Sequence, residues 1–517
     1  MLRSVGYISL SRPRSLGSLK ATVVFFSSLV LLFFFTYLYA RRAQADWARH
    51  RTGPLTPISL LNETAGKVDL WGTCSPEEYA QGQWVHRPYW TRPSPLTRTN
   101  TSEQIYSDLL HGAHGPEKLT SKEDILKFAR MEGCASDGED IWNQFAVTNE
   151  EQWDRFPKAL EWEWIPGGRC TGKSGLRDWD LEGFLRDLVE GGGWLLIGDS
   201  ITGNHFFSIS CLLYPHVVTG KSTSYERDRL QSLYLNPSSP FAERFQLPQG
   251  FNIKTTPLVS FKRVDLLWSV NDLASMHKAL HPEFYSPSNS FKLFGDTPVW
   301  SVSPEVYLNI FLGPVATANY KTMIVSSAGH WTMDLFHGYH RAHGSDGSTL
   351  NDSRLLFKFP SDFEELEPIL GYDGLLMFFR EAMERWANAV QRRLDTHPPS
   401  VSSSPTRQRQ ALVRAYLAGH DACHNARDPW AEERPPRASW NWREIGRFNK
   451  IWETILPQGA PQARLHKNVH FLGIDRPGNL RPDGHVALDC LHIMTGQGVL
   501  EGWTHYIWHY TTKETTN

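Results

Sequence analysis

The sequence predicts an α/β protein in which a parallel sheet carries helices on both faces. From residue 181 onward, apolar runs of strand length alternate with amphipathic segments of helix length. One apolar run, Trp194–Ile197, stops at Gly198-Asp199-Ser200, as a buried strand does when it enters a turn. With 517 residues, of which 40% are hydrophobic, the chain is long enough to bury a large core.

The predicted elements follow one another in a regular order. Helices are expected at 181–190 and 374–394, where apolar residues recur at helical spacing. Strands are expected at 194–200, 260–270, 322–331, 411–420 and 468–475. The Pro- and Ser-rich stretch 396–405 predicts a loop.

An apolar segment near the N-terminus predicts a single transmembrane helix. Residues 21–40 contain no charged side chain, and at about 1.5 Å per residue they reach about 30 Å, the thickness of a bilayer's hydrocarbon core. Arg41 and Arg42 follow directly, so we expect a signal anchor, with a cleaved signal peptide as the alternative.

Two features beyond this segment favour a lumenal body and a single-pass type II topology. Positive charges flank the segment on both sides and barely decide its orientation. All six cysteines follow it, and so do three N-x-S/T sequons, at Asn62, Asn100 and Asn351. The expected domains are a cytosolic tail (1–20), the anchor (21–40), a stem (41–70), a cysteine-containing N-terminal lobe (71–180) and the α/β domain (181–517).

The cysteines and the net charge limit the classes of partner. Six cysteines in a lumenal chain predict three disulfides, for which fifteen pairings exist. The chain has no C-x-x-C, so we expect no zinc ribbon and no metal. A formal charge of −2 gives no reason to expect a nucleic-acid partner.

Ser200 is the candidate nucleophile, because function gathers at the carboxyl ends of the strands in an α/β sheet. The following segment, TGNHFFSISCLL, predicts a helix whose first backbone amides would lie near Ser200 and could stabilise an oxyanion. The alternative is a turn serine preceded by Asp199 as a helix cap.

Asp489 and His492 are the candidate partners of Ser200. Their spacing of three would place both on one face of a helical turn, with the carboxylate holding one imidazole nitrogen and the other facing the serine. Asp483 and His485 are two residues apart, which does not fit such a turn. A strand-terminal G-D-S followed much later by D-x-x-H is the order found in SGNH-type hydrolases, whereas the G-x-S-x-G elbow of α/β-hydrolases does not occur.

The other histidine clusters favour structural interpretations. His337, His340 and His343 recur every third residue, a spacing that can bind metal, but Gly338 and the following GSDGS stretch predict a solvated loop. His505 and His509 lack the glutamate of H-E-x-x-H and are expected to be packing or surface residues.

Several short motifs, taken in order over residues 71–510, resemble the plant trichome birefringence-like family of polysaccharide O-acetyltransferases, as a diverged, fungal-looking member. That family has a cysteine-containing N-terminal domain and a PC-esterase domain of SGNH type. The motifs are CSPEEYAQGQWVHRP from Cys74, WEWIPGGRC from Trp162, GDSITGNHFFSISC from Gly198, SSAGHW from Ser326, RPDGH from Arg481 and DCLH from Asp489.

The resemblance implies a flavodoxin-like SGNH sheet and assigns roles to individual residues. Ser200 would be the nucleophile, His492 the base and Asp489 the residue that orients it. Oxyanion or substrate contacts would come from Ser327, Gly329 and His330. The implied disulfides are Cys74–Cys170, Cys134–Cys211 and Cys423–Cys490.

Some residues depart from the family pattern. Gly203 and His205 replace an arginine and a glutamine, Ser327 replaces an asparagine, and Ile493 and Met494 replace a Trp-Cys pair. These changes leave the Ser, His and Asp set in place, but they affect positions expected to contact the oxyanion or the acceptor.

The expected function is a Golgi-lumenal O-acetyltransferase that moves an acetyl group to a glycan hydroxyl through an acyl-serine. It would bind no resident cofactor and use acetyl-CoA or another acetylated donor as co-substrate. Its expected partners are a polysaccharide or glycan acceptor, the membrane through residues 21–40, and a membrane protein that supplies the acetyl donor. The alternatives are an acetylesterase with the same triad and an inactive glycan-binding protein.

Overall fold

A computed structural model describes residues 73–86, 131–136, 154–172, 175–220, 229–285, 291–340, 369–397, 408–436, 440–458, 465–487 and 489–515. Leu70–Asn517 forms one compact unit, so the expected lobe and the α/β domain belong to the same body. The expected tail, anchor and stem and the three sequons, Asn62, Asn100 and Asn351, lie outside the described residues.

A mixed sheet of seven strands forms the centre of the described structure. Its strands are β3 (Gly193–Gly198), β4 (Val217–Thr219), β5 (Leu230–Leu235), β6 (Val259–Arg263), β7 (Tyr320–Ser326), β8 (Gln410–Arg414) and β9 (Val469–Leu472). They lie in the order β4-β5-β6-β3-β7-β8-β9. The five strands from β6 to β9 in this order, β6-β3-β7-β8-β9, are mutually parallel. The five strands predicted from the sequence are β3 and β6 to β9.

The expected fold class is wrong, because it specifies a parallel sheet. The sheet is not wholly parallel, because β5 pairs antiparallel with β6, and β4 pairs antiparallel with β5. No helix within the described ranges is both long and apolar enough to cross a membrane. The described architecture is therefore a mixed α/β sheet with helices and three disulfides.

The first parallel strand, β3, is buried along its whole length, which explains its continuous apolar sequence. It lies between β6 and β7, where Gly198 pairs with Arg263 on one side and with Ser326 on the other. A Cβ on Gly198 would lie 2.2 Å from the Thr202 hydroxyl oxygen and 2.6 Å from the Ser326 carbonyl oxygen. The glycine therefore allows the strand end to approach both the next helix and the neighbouring strand.

The α-helices form two packed groups around the sheet. Their bounds are α1 (Pro76–Ala80), α2 (Arg155–Ala159), α3 (Leu181–Glu190), α4 (Ser200–Leu212), α5 (Val270–Leu280), α6 (Pro304–Phe311), α7 (Val315–Ala318), α8 (Gly371–Thr396), α9 (Ile445–Ile455), α10 (Arg476–Asn479) and α11 (Val499–His509). Helices α3 and α4 contact β3, and α11 packs on α4. Helices α5, α6 and α9 contact the long helix α8, where Trp386 and Trp452 meet edge to face with ring centroids 5.5 Å apart.

The N-terminal lobe contains a two-stranded antiparallel sheet of β1 (Gln83–His86) and β2 (Trp162–Ile165). Helix α1 begins at a capping box formed by Ser75 and Glu78. The indole of Trp84 donates a hydrogen bond of 2.9 Å to the carbonyl oxygen of Pro477, which joins the lobe to the segment after β9.

Two buried arginines attach the lobe to the C-terminal segment that carries the candidate site. Arg481 and Asp483 form an ion pair of 2.8 Å in which neither side chain is exposed. Arg481 also donates to the Ala159 carbonyl oxygen at the end of α2. From the lobe, Arg155 donates to the carbonyl oxygens of Asp483 and His485.

Three disulfides cross-link the described residues. The pairs are the ones that the family resemblance implies: Cys74–Cys170, Cys134–Cys211 and Cys423–Cys490. The first closes the lobe, and the second reaches the C-terminal end of α4.

Candidate active site at the carboxyl edge of the sheet

Ser200 is the first residue of α4 and lies directly after β3, at the carboxyl edge of the parallel strands. The side chain of Asp199 caps this helix by accepting a 3.1 Å hydrogen bond from the amide of Ile201. The capping role considered as the alternative is thus present, and it places Ser200 at the positive end of the helix dipole. Capping and a nucleophilic role for Ser200 are therefore compatible.

Asp489 holds His492 through its whole carboxylate. Oδ2 lies 2.7 Å from Nδ1 of His492, while Oδ1 accepts from the amides of Leu491 and His492 at 2.8 and 2.7 Å. The segment is a bend and not the expected helical turn, because an aspartate that accepts the amides two and three residues later forms its own turn. Since an ionised carboxylate only accepts hydrogen bonds, Nδ1 is the ring nitrogen that donates to Asp489, and Nε2 is the one left to act as a base.

The charge of Asp489 is stabilised by this arrangement. Burial would raise the pKa of the carboxyl, but the hydrogen bond and charge of His492 and the two backbone amides outweigh burial and lower the pKa well below its usual range. The carboxylate therefore remains ionised and can orient the imidazole and stabilise its protonated form.

The His492 loop is tied to the helix that begins at Ser200. Asn204, one turn after Ser200 on the same face of α4, accepts a 2.8 Å hydrogen bond from the amide of Ile493. The structure thus brings the G-D-S helix and the D-x-x-H segment together although almost three hundred positions separate them.

Two further restraints hold the backbone around His492. The Cys423–Cys490 disulfide links the residue after Asp489 to the loop that follows β8. His485 Nδ1 lies 3.0 Å from the His492 carbonyl oxygen, and His485 Nε2 lies 2.6 Å from Nδ1 of His420. Burial lowers the pKa of both His485 and His420. His485 is thus a buried structural residue, and so is Asp483, its neighbour in the R-x-D-x-H motif.

A buried charged cluster lies next to Ser200. Asp199 is fully buried and interacts electrostatically with Arg414, Tyr416 and Asp265. Burial lowers the pKa of Arg414 to about 10, and the charge of Asp199 opposes that shift. The guanidinium of Arg414 also stacks on Trp503, 3.8 Å from its ring centroid. The negative charge behind Ser200 is therefore balanced within the core.

The three residues expected to contact the oxyanion or substrate have different surroundings. Ser327 is buried, and its hydroxyl donates to the Asp265 carbonyl oxygen at 3.0 Å, so that hydroxyl has a structural partner. A Cβ on Gly329 would lie 2.0 Å from the Tyr416 hydroxyl oxygen, which explains the glycine by steric fit. His330 is partly exposed, and its Nε2 lies 3.9 Å from Oδ1 of Asp265.

Asp265 links His330 to the sheet. Burial raises the pKa of its carboxyl, while the nearby His330 and Arg263 oppose that shift. Arg263 donates to Asp265 at 3.1 Å. Of the three candidates, His330 is the one whose side chain is both accessible and paired with a carboxylate.

The two positions on α4 that depart from the family pattern have structural contacts. His205 is fully buried and lies 3.0 Å from the Thr504 hydroxyl on α11. A Cβ on Gly203 would contact the Phe261 ring at 3.1 Å. The expectation that these two departures affect acceptor contacts therefore finds no support in their positions.

One group of side chains within the described residues meets the distance criterion for a metal site, and its chemistry does not suit a metal. Cys423, His424 and Cys490 place their candidate ligand atoms within 4.8 Å of one another, but the two sulfurs are joined in a disulfide and offer no thiolate. Of the other histidines, His337 and His340 are exposed, His509 is fully buried, and His343 lies outside the described residues.

Sequence reasoning missed two tryptophans and an asparagine at this edge. Trp440 donates from its indole to the Gly329 carbonyl oxygen, and Asn441 donates to the carbonyl oxygens of Ala328 and Trp331. Trp300 pairs with Asp265 through two backbone contacts. No local signal marks these residues, because their partners are between 35 and 113 positions away.

No protein-family model matches the chain, and no curated protein sequence matches it. The functional conclusion therefore depends on the geometry of the site and on the short motifs within the sequence.

Proposed function

We propose that this protein is a serine-dependent O-acyltransferase that moves acetyl groups to the hydroxyls of a glycan. The observation that carries the proposal is the coupling of three elements. Asp489 holds Nδ1 of His492, and Asn204 ties the loop of His492 to the helix that begins at Ser200. The acetyl specificity and the glycan acceptor come from the family resemblance.

The first half-reaction forms an acetyl-serine. His492 Nε2 removes the hydroxyl proton of Ser200 as Oγ attacks the acetyl carbonyl carbon of the donor. The positive end of the α4 dipole at Ser200 stabilises the oxyanion of the tetrahedral intermediate. The intermediate collapses, the bond to the donor heteroatom breaks, and protonated His492 returns the proton to that leaving group.

The second half-reaction transfers the acetyl group to the acceptor. A sugar hydroxyl gives its proton to Nε2 of His492 and attacks the acetyl carbonyl carbon. The Ser200 ester bond then breaks, and Oγ recovers the proton from His492. Throughout both steps Asp489 stays ionised, because its partners hold its pKa low, and it compensates the positive charge on His492.

A carbohydrate acetylesterase is the second candidate function, and the exposure of the dyad favours it. The side chains of His492 and Asp489 are 26% and 42% exposed, so water can approach the base. With water in place of the sugar hydroxyl, the same residues would hydrolyse the acetyl-serine.

The disulfides support a role in an oxidising compartment. All six cysteines pair, and such bonds persist in secreted and lumenal proteins, whereas reducing compartments keep thiols free. We therefore place the proposed reaction in the secretory pathway or outside the cell.

The deciding experiment incubates the full-length protein with an acetyl donor and a panel of oligosaccharides, and it measures acetylated glycan and free acetate. Acetylated glycan in excess of acetate supports the transferase, and deacetylation of acetylated glycan supports the esterase. Neither activity, with glycan retained by the protein, indicates an inactive glycan-binding protein.

Ser200→Ala tests the nucleophile and should abolish turnover in either enzyme. Its matched control is Ser208→Ala, on the same helix, which removes a hydroxyl that donates to Glu501 and lies two turns from Ser200. Full activity of the Ser200→Ala protein would overturn the proposed mechanism.

A further inference from the structure

Two tryptophans remain exposed within the described residues. Trp440 is 55% exposed and Trp300 is 41% exposed, whereas five other tryptophans are among the largest fully buried side chains. An exposed indole leaves a large apolar surface in water, and clusters of such surface mark binding sites.

The backbone of Trp440 adopts an unfavourable conformation. Its φ of +51° lies in the left-handed region, which bulky residues rarely adopt. Such outliers persist where the surrounding contacts hold them, and they concentrate at functional sites.

Hydrogen bonds fix the indole of Trp440 in position. Its Nε1 donates to the Gly329 carbonyl oxygen at 2.8 Å. The adjacent Asn441 donates to the carbonyl oxygens of Ala328 and Trp331 at 2.8 and 3.1 Å. The ring is therefore held against the segment after β7, which contains His330, while more than half of its surface stays free.

Trp300 is connected to His330 through Asp265. The carbonyl oxygen of Trp300 accepts a 2.7 Å hydrogen bond from the amide of Asp265, and the amide of Trp300 donates a 2.8 Å hydrogen bond to the Asp265 carboxylate. That carboxylate lies 3.9 Å from Nε2 of His330. The guanidinium of Arg229 lies over the Trp300 ring, 4.1 Å from the centroid. The segments that follow β7 and β6 thus each hold an exposed tryptophan by hydrogen bonds.

We propose that Trp440, which bonds to the residue before His330, and Trp300, which bonds to its neighbour Asp265, are stacking platforms for pyranose rings of the acceptor glycan. The inference rests on the proposed function and names the acceptor subsites of that same edge. A sugar ring presents a face of C–H groups that packs on an indole, and its hydroxyls remain directed to neighbouring polar groups. A fixed indole loses little entropy when it binds, which suits a weakly hydrophobic ligand.

The test compares one variant that keeps an aromatic ring with one that does not. Trp440→Phe and Trp440→Leu both lose the indole N–H bond to Gly329, and both keep a bulky residue at a left-handed φ. A purely structural role would change the stability of the variants without separating their affinities for glycan. Stacking would separate them, because only phenylalanine retains a ring.

Binding of cellohexaose, mannohexaose, xylohexaose and chitohexaose to the full-length protein is measured by calorimetry without an acetyl donor. We expect wild type to bind at least one of them, Trp440→Phe to bind within about threefold of wild type, and Trp440→Leu to bind about tenfold or more weakly. Trp300→Leu should weaken the same ligand. Leu465→Ala, which changes a 76% exposed side chain elsewhere, should have no effect.

Equal affinities of the Phe and Leu variants, or no binding of any hexaose to wild type, would overturn the proposal. The proposal would also be overturned if Trp440→Leu changed self-association without changing glycan binding. The exposed surface of Trp440 would then be a contact with a second copy of the chain. Ser200→Ala separates this inference from the proposed function, because it should remove turnover and leave binding intact. If the wild-type protein binds glycan through Trp440 but transfers no acetyl group, the proposed subsites are supported and the proposed reaction is refuted.

Discussion

Asn204 accepts a hydrogen bond from the amide of Ile493, and this 2.8 Å contact joins the helix of the candidate nucleophile to the loop of the candidate base. Asn204 is almost fully buried, so the contact forms away from water. Because Ile493 directly follows His492, any displacement of this loop relative to α4 moves the imidazole.

Replacing Asn204 with alanine should lower turnover more than substrate binding. The change leaves the amide of Ile493 without its acceptor, at a cost of about 1–3 kcal/mol in unfolding free energy, and lets the His492 loop shift. A shift of about 1 Å in a reacting group can cost about a hundredfold in rate. Steady-state kinetics should therefore show a reduced kcat with a smaller change in KM.

Asn468→Ala is the matched control for this prediction. Asn468 is also buried, and its side chain accepts hydrogen bonds from Gln391 and Gln408 at the amino end of β9, away from the carboxyl edge. Both variants should lose similar stability in denaturant titrations. If Asn468→Ala reduced kcat as strongly, the specific link between Asn204 and His492 would be refuted.

Asp489→Asn should decrease kcat by about a thousandfold or more, with little effect on folding. The asparagine side-chain oxygen can still accept hydrogen bonds from the backbone N–H groups of Leu491 and His492. Its NH2 group cannot accept a hydrogen bond from Nδ1 of His492, and the side chain carries no charge to compensate a protonated imidazole. Asp373→Asn, which removes a carboxylate from the ion pair with Arg447, serves as the control. Turnover of Asp489→Asn near the wild-type value would remove Asp489 from the mechanism.

The Cys423–Cys490 disulfide should matter for activity as well as for stability. The double alanine variants of Cys423–Cys490 and Cys134–Cys211 open loops with similar sequence separations, 67 and 77. The chain-entropy model gives each bond about 4 kcal/mol. Only the first pair adjoins Asp489, so that variant alone should lose turnover under conditions where both proteins remain folded. Equal kinetic losses would contradict this bracing role.

Acidification should destabilise the protein through its buried histidines. Burial, reinforced by the charge of Arg414, lowers the pKa of His205 well below 6.5. Below a pH of about 6.5 the unfolded chain therefore binds a proton that the folded state does not. Each such histidine then removes about 1.4 kcal/mol of stability per pH unit.

Thermal unfolding of wild type and His205→Gln at pH 7.5, 6.0 and 5.0 measures this effect. The variant lacks the imidazole, so its Tm should fall less steeply than that of wild type as the pH decreases. His337→Gln removes an exposed imidazole and should follow the wild-type curve. Parallel curves for wild type and His205→Gln would exclude His205 as the source of the pH dependence.

The five parallel strands could be predicted from the sequence, but the antiparallel edge could not. Strand β3 is buried along its whole length and reads as a continuous apolar run. The antiparallel edge consists of β4, which has three residues, and β5, which is only partly buried and lacks such a run. The pairing of β5 with β6 depends on contacts that local periodicity does not encode, and so the mixed sheet was not foreseen.

The pairing of Asp489 with His492 was predictable because it is local. The predicted helical turn was wrong, since Asp489 accepts backbone amides that a helix would use for itself. The cluster of Asp199 with Arg414 and Tyr416 was not predictable, because these residues meet only when β3 and β8 come to the same edge of the sheet. Trp440 was not predictable either, because its hydrogen-bond partner, Gly329, is 111 positions away in the sequence.

The buried contacts of Arg155 and Arg481 determine how the protein can be divided. A fragment that begins at residue 181 would leave Arg481 without its Ala159 acceptor, and it would strip Arg155 from the carbonyl oxygens of Asp483 and His485. Those carbonyls lie seven to nine residues before His492. The small lobe is thus anchored to the segment that precedes His492, and recombinant forms of this protein should start before Cys74 if they are to preserve the geometry of the candidate site.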